Sequence, residues 1–421
     1  MTIKLTPEKA VDIQKRCREM LERHEYSIRL YTQLVGKLVA CEPAVPHAAL
    51  FYKPLEHEKD SALKAAKGNF EEKMTLSSTA KQTISWWIDN IADSKKPVHF
   101  NPPDISLESD SSSTGWGGLV RGDERLKTGG HWSYTEQSQH INYLELQAAF
   151  LTLQCFCSTK SNIHVRLYLD NTVAVNYINN MGGKTTALTT LTQNIWMWCI
   201  RRDIWLSACH VPGVQNTEAD KLSRSLSDDM EWSLDTSIFE RICVQFDTPC
   251  IDLFATRVNA KVDTYISYLP DPTAVAIDAF TISWSQYNVC YAFPPFSVLG
   301  RVLQKMEEEQ TDLILVAPLW TTQPWFPTLL HLLVDTPVLL PNRRPILHLA
   351  NNPSKRHPIR TLRLTACRLS GITSKREEFQ RQLQRSSWQL GEIPPGNNTG
   401  SISADGCHFV VNGKVIRFVH L

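Results

Sequence analysis

The chain has 421 residues, 42% hydrophobic and 21% charged, with 44 Lys and Arg against 43 Asp and Glu. That composition describes a folded globular protein with room for two or three domains, and a net charge of +1 provides no global field for a polyanion. No apolar run reaches the roughly 20 residues of a membrane helix, and MTIKLTPEKA lacks the apolar core of a signal peptide, so the chain is expected in the cytoplasm or nucleus, neither secreted nor membrane-bound.

In chain order, apolar periodicity predicts a helix over 6–40, with Thr6 as cap and Pro7 as its first residue. The loop CEPAVPH follows, and a second helix starts near Ser77 or Ser78 and runs through Trp86, Trp87 and Ile91. KKPVHFNPPD (95–104) reads as a linker. From 105 to 224, strand and helix patterns alternate, as in an α/β domain. ISLESD is its first strand, and WGGLVR and RLKTGGHWS form a hairpin around Gly122-Asp123. INYLELQAAFLTL is a helix, HVRLYLD a fourth strand, NTVAVNYINNM and ALTTLTQNIWMWCIRR two helices, IWLSACHVPG a fifth strand, and TEADKLSR opens a last helix.

Beyond it, 248–340 carries short apolar runs such as DLILVAP among Pro-rich turns. Segment 341–381 is basic: Arg343, Arg344, Lys355, Arg356, Arg360, Arg363, Arg368, Lys375, Arg376 and Arg381 face only Glu377 and Glu378. GEIPPGNNTGSISADG is loop-like, and FVVNGKVIRF closes as a hairpin on its Asn-Gly. There is no internal repeat. The eleven cysteines include no C-x-x-C pair, Cys155-x-Cys157 falls on a helical pattern and Cys209-His210 lacks partners at ligand spacing, so reduced thiols are expected rather than disulfides or zinc.

Four acids stand at element junctions or exposed strand ends of 105–224: Asp110, Glu145, Asp170 and Asp220. Singly, each but Asp110 has a capping explanation. Asn142 to Glu145 and Thr217 to Asp220 fit capping boxes, and Asp170 can cap the helix after it. Capping explains neither Asp110 nor why the buried-looking strand HVRLYL should end in an acid. Glu108 shares the face of Asp110 and reads as a solvated charge.

The order of these elements, with SDSSSTGWGG, HINYLELQAAF, LYLDNTVAVNYINNMGG and HVPGVQNTEADKLSR, resembles the ribonuclease H domain of retroelement reverse transcriptases. The resemblance implies an α/β fold, a mixed five-stranded sheet with helices over 101–228, and a catalytic set of Asp110, Glu145, Asp170 and Asp220. These acids would hold two Mg²⁺ (or Mn²⁺) ions about 4 Å apart, because hard cations demand carboxylate oxygens and phosphodiester hydrolysis needs an activated water. His210 is implied in proton transfer or product release; a solvated loop histidine is the other explanation. The implied substrate is the RNA strand of an RNA–DNA hybrid.

Residues 1–100 resemble the thumb and connection segments that precede ribonuclease H in these polymerases, but no Y-x-D-D sequence occurs, so polymerisation is not expected. Residues 229–340, with PCIDLFATRVNAK and YAFPPFSVLGRVLQ, are similar to the adenine-methyltransferase-like domain of DIRS-type retrotransposons. Phe293-Pro-Pro-Phe296 replaces the Asp or Asn before Pro-Pro-Tyr, and the Gly-rich loop expected after Asp252 is missing, so this domain is expected to be degenerate, without S-adenosylmethionine. Residues 341–421 are expected to be a basic linker and tail, with Arg343, Arg344, Lys355, Arg356, Arg360 and Arg363 as candidate nucleic-acid contacts. Other retroelement proteins are implied partners. The alternative reading is a domesticated, non-catalytic nucleic-acid-binding or assembly module.

Overall fold

The computed structural model describes residues 1–225, 231–342, 346–359, 361–385 and 407–421. They group into two compact units: Met1–Ser112, Gly117–Leu126 and Gln139–Lys221 form the first, and Ser113–Trp116, Lys127–Ser138 and Leu222–Leu421 the second.

The first unit opens with α1 (Pro7–Glu22), α2 (Ile28–Val39), α3 (Ala48–Ala65) and α4 (Ser78–Asn90). Thr6 caps α1 and Ser77 caps α4, each accepting a backbone N–H from the first turn. The single helix expected over 6–40 is interrupted. Tyr26–Ser27 are extended and pair with Lys73–Met74, and the Ser27 hydroxyl starts α2 by accepting the Leu30 N–H at 3.3 Å. Helix α3 was not expected from the sequence, because it follows a Pro-rich loop and contains Pro54. It is anchored to α4 by Phe51, stacked on Trp86 at 3.6 Å between ring centroids, and by the Trp87 indole N–H donating to Phe51 O at 3.2 Å.

The α/β part follows as β1 (Ile105–Ser111), β2 (Gly115–Val120), β3 (Asp123–His131), α5 (Ile141–Cys157), β4 (Ile163–Leu169), α6 (Thr172–Asn179), α7 (Thr186–Ile200), β5 (Ile204–His210) and α8 (Thr217–Arg224). Its five-stranded sheet has the order β3-β2-β1-β4-β5, and β4 runs parallel to both β1 and β5. Leu107, Val165, Leu167, Ile204 and Leu206 alternate inward along the strands, and Leu146, Ala149 and Leu153 of α5 meet them in one core. Tyr31, Leu55, Ile84 and Trp87 of the N-terminal helices belong to the same core, so residues 1–100 are not a separate domain. His47 extends that packing, its ring 5.3 Å from both Trp196 and Trp205, and burial pushes it down to about 4.

In the second unit the elements are β6 (Trp232–Leu234), α9 (Thr236–Phe246), β7 (Ile251–Asp252), β8 (Cys290–Ala292), α10 (Leu299–Glu308), β9 (Asp312–Pro318), α11 (Phe326–His331), β10 (Val338–Leu339), β11 (Leu347–Leu349), β12 (Leu364–Ser370), α12 (Thr373–Gln382), β13 (His408–Val411), β14 (Lys414–Arg417) and β15 (Val419–His420). Six of these strands form a mixed sheet of order β7-β8-β9-β12-β10-β15. The DLILVAP run is its buried central strand β9, and the whole of β12 pairs with it antiparallel, from Asp312 opposite Ser370 to Pro318 opposite Leu364. The expected hairpin forms as β13 and β14 around Asn412-Gly413. GEIPPGNNTGSISADG lies outside the described residues.

Two boundaries differ from the sequence reading. The described residues of 341–421 are not all linker and tail, because β12 and β15 are strands of the second unit's sheet. Segment 127–138, expected in the nuclease-like domain, groups with the second unit instead. There Arg257 makes a two-pronged ion pair with Glu136, both N–H···O distances 2.9 Å, and Thr128 donates to Pro270 O.

Two stability tests follow from this packing. A Cβ at Gly118 would stand 2.8 Å from the Thr152 Cβ of α5, nearer than any real contact. Gly118→Ala should therefore destabilise the protein by about 1–3 kcal/mol in a denaturant melt, and adding Thr152→Ala should restore part of the loss. A chain ending at Pro341 should lose the cooperative unfolding of the second unit in calorimetry, because it lacks β12.

Candidate metal centre

Parallel register builds the site. Glu108 of β1 pairs with Tyr168 of β4, so Asp110, next to last in β1, and Asp170, just past the end of β4, stand side by side. Glu145 reaches them from α5, where it lies on the same stripe as the buried Ala149 and Thr152. One carboxylate oxygen from each of Asp110, Glu145 and Asp170 can be chosen so that all lie within 4.8 Å of one another, the group with metal-ligand potential among the described residues. Asp110 and Glu145 are only 3% and 4% exposed, so water does not screen them fully.

Three ionised carboxylates at such separations repel by roughly 3 kcal/mol per pair at an effective dielectric of about 20. Glu145 responds by holding its proton. Burial, then the charges of Asp110 and Asp170, push its carboxyl up to about 8. Its Oε1 accepts the Ser111 hydroxyl at 3.0 Å, whereas its Oε2 is buried with no hydrogen-bond partner. Once ionised, that oxygen can only accept, and bare inside an acidic cluster it fits a divalent cation that takes the place of the proton.

The capping explanations fail for Glu145 and Asp170. Helix α5 is capped by His140, helix α6 by Asn171, which accepts the Ala174 N–H at 3.0 Å, and Glu145 sits inside its helix. Asp220 stands on α8, half-buried and not among the three clustered acids. Its N–H bonds the carbonyl of Asn216, whose buried side-chain amide donates to Ser109 O at 3.1 Å and so ties the start of α8 to β1 beside Asp110. His210 is exposed at the end of β5, level with Leu169, the residue before Asp170. A Cβ on Gly213 in the loop after it would stand 3.3 Å from Asp170 Oδ2.

Glu108 is not a solvated charge. Its side chain is 12% exposed and paired with Arg121 at 3.2 Å, while that guanidinium lies 4.1 Å over the Tyr168 ring. Ser111 and Asn216 were missed as site residues in the sequence; Asn216 falls within the quoted HVPGVQNTEADKLSR, but nothing in spacing distinguishes a buried amide from a loop one.

The basic run behaves differently from its expectation. Arg343, Arg344 and Arg360 lie outside the described residues, and Lys355, Arg356 and Arg363 are exposed. The remaining four are engaged internally: Lys375 and Arg368 face Asp312 at 2.6 and 3.5 Å, Arg376 pairs with Glu307 at 2.8 Å, and Arg381 with Glu377 at 3.9 Å. The Phe293-Pro-Pro-Phe296 motif lines a cavity of about 290 Å³ together with Trp232, Phe254 and His357. Asp252 is buried, and its two oxygens accept the N–H groups of Phe254 and Lys261, which fold the chain back after β7.

No family model and no curated protein matches the chain. Solved structures similar to it include ribonuclease H1 from the archaeon Halobacterium salinarum, at 17% identity and TM-score 0.25, covering 28% of this chain and 92% of that one. LC11 ribonuclease H1, in complex with an RNA/DNA hybrid, is 19% identical at TM-score 0.24, covering 28% and 91%. The foamy viral protease-reverse transcriptase in complex with double-stranded DNA is 12% identical at TM-score 0.20, covering 49% of this chain and 41% of that one. Among the described residues, no helix is long and apolar enough to cross a membrane.

The Glu145 carboxyl sets a pH dependence with a defined sign. Between about 4.5 and about 8 the metal-free fold binds a proton that the unfolded chain has released, so this contribution to stability is lost as pH rises through that window. The thermal midpoint of metal-free Glu145→Gln should therefore fall less between pH 5 and pH 8 than that of the wild type. His47 and Asp252 also titrate in this range, but they are common to both proteins and cancel in the comparison.

Proposed function

We propose that this chain is a divalent-metal-dependent ribonuclease H-type nuclease that hydrolyses the RNA strand of RNA–DNA hybrids. The observation that carries the reading is the cluster of Asp110, Glu145 and Asp170, with its bare buried Glu145 oxygen, on a β3-β2-β1-β4-β5 sheet. Asp110, Glu145 and Asp170 would hold Mg²⁺ or Mn²⁺, with Asp220 completing a two-ion site. Bound there, such ions supply a Lewis acid and a water of lowered pKa.

The chain's own groups then have distinct tasks. The buried acids orient the cations, and the apolar core beneath them excludes bulk water from one side. His210, exposed beside the acids, takes up or returns a proton at the surface of the site. The helices that precede the nuclease-like sheet, and the resemblance of the flanking segments, support a DIRS-type retroelement origin for the chain. In that reading the second unit serves without methyl transfer, since Phe293 offers no acceptor for an amino group.

Purified full chain should cleave a labelled RNA–DNA hybrid with Mg²⁺ or Mn²⁺ and not with EDTA. Asp110→Asn and Asp170→Asn should each abolish cleavage while leaving circular dichroism and the unfolding transition in place. Undiminished cleavage by either variant, or cleavage in EDTA, would remove the metal-centre assignment.

A further inference from the structure

Ser111 ends β1 directly after Asp110, and it treats the two oxygens of Glu145 unequally. Its hydroxyl and its backbone N–H both bond this carboxylate, the hydroxyl donating to Oε1 at 3.0 Å, while Oε2 has no partner. Both residues are interior, at 5% and 4% exposure. A glutamate has three side-chain torsions, and fixing them costs on the order of 1.5–2 kcal/mol. Repulsion from Asp110 and Asp170 adds a force that turns an untethered carboxylate away from the cluster. A donor on Oε1 opposes both effects.

We infer that Ser111 is a positioning residue for the metal centre: by holding Oε1 it presents Oε2 of Glu145 to a divalent cation shared with Asp110 and Asp170. The inference rests on the metal-site reading above and deepens it. Hydrogen bonds that orient a ligand in this way are typically worth about 10- to 100-fold in metal affinity. The hydroxyl carries the side-chain part of that effect, because any residue at 111 other than proline keeps the N–H.

The test is calorimetric titration of the full chain with Mn²⁺ alone, so the readout does not depend on catalysis. Ser111→Ala should weaken binding about 10- to 100-fold, and Ser111→Thr, which keeps a hydroxyl, should restore it. In a Glu145→Gln background, the same Ser111→Ala change should cost nothing further, since the oxygen it orients is no longer a carboxylate. Metal-free thermal midpoints show whether each variant is folded; if the alanine variant is not, Ser111→Cys, a weak donor of similar size, takes its place. Wild-type affinity in Ser111→Ala, or an equal loss with and without Glu145, overturns the role of Ser111 alone. A wild-type chain that binds no Mn²⁺ overturns the metal centre itself and this inference with it.

Discussion

The parallel pairing of β1 with β4 is the constraint from which the site follows. With Glu108 opposite Tyr168, two aspartates stand at the same level at the ends of adjacent strands, and their carboxylates meet. A shift of one residue would turn Asp110 to the opposite face of the sheet and separate it from Asp170. The apolar alternation of Leu107, Val165 and Leu167 enforces the register, since slipping it would expose the core. Hydrophobic burial thus holds together a charge arrangement that electrostatics alone would disperse.

The third acid depends on a different contact. Helix α5 lies close enough to the sheet to aim Glu145 at the aspartates because β2 presents Gly118, with no side chain, to Thr152. Neutral donors help to shape the surroundings of the acids. Ser111 fastens the carboxylate of Glu145, and Asn216 fastens the start of α8 to the strand that ends in Asp110. Neutral donors fix geometry without adding positive charge to the cluster, as an arginine or lysine would. The Arg121 guanidinium is engaged by Glu108 and by the Tyr168 ring.

In the second unit the positive surplus of 341–381 is partly spent inside. Asp312, buried at the start of the central strand β9, is matched by Lys375, Arg368 and the Ser370 hydroxyl, all contributed by β12 and α12. Removing the cations would leave a buried carboxylate unpaired, so these residues are first of all structural. Charge density along a sequence says nothing about whether its counter-charges sit sixty residues away in the fold.

By itself the sequence determined the order of strands and helices over 105–224, the ends of several helices, the Asn-Gly hairpin and the four acids worth attention. Those features are legible because they are local: period-2 and period-3.6 burial, caps and turn residues act within a few positions. Tertiary structure alone decided that three of the four acids lie within 4.8 Å of one another, that Glu108 is covered, and that the basic run contains a strand of the second sheet. It also decided the break at Tyr26–Ser27, which depends on pairing with Lys73–Met74 far along the chain. Each of these is a non-local event, in which the energy comes from a partner whose distance in sequence no local pattern records.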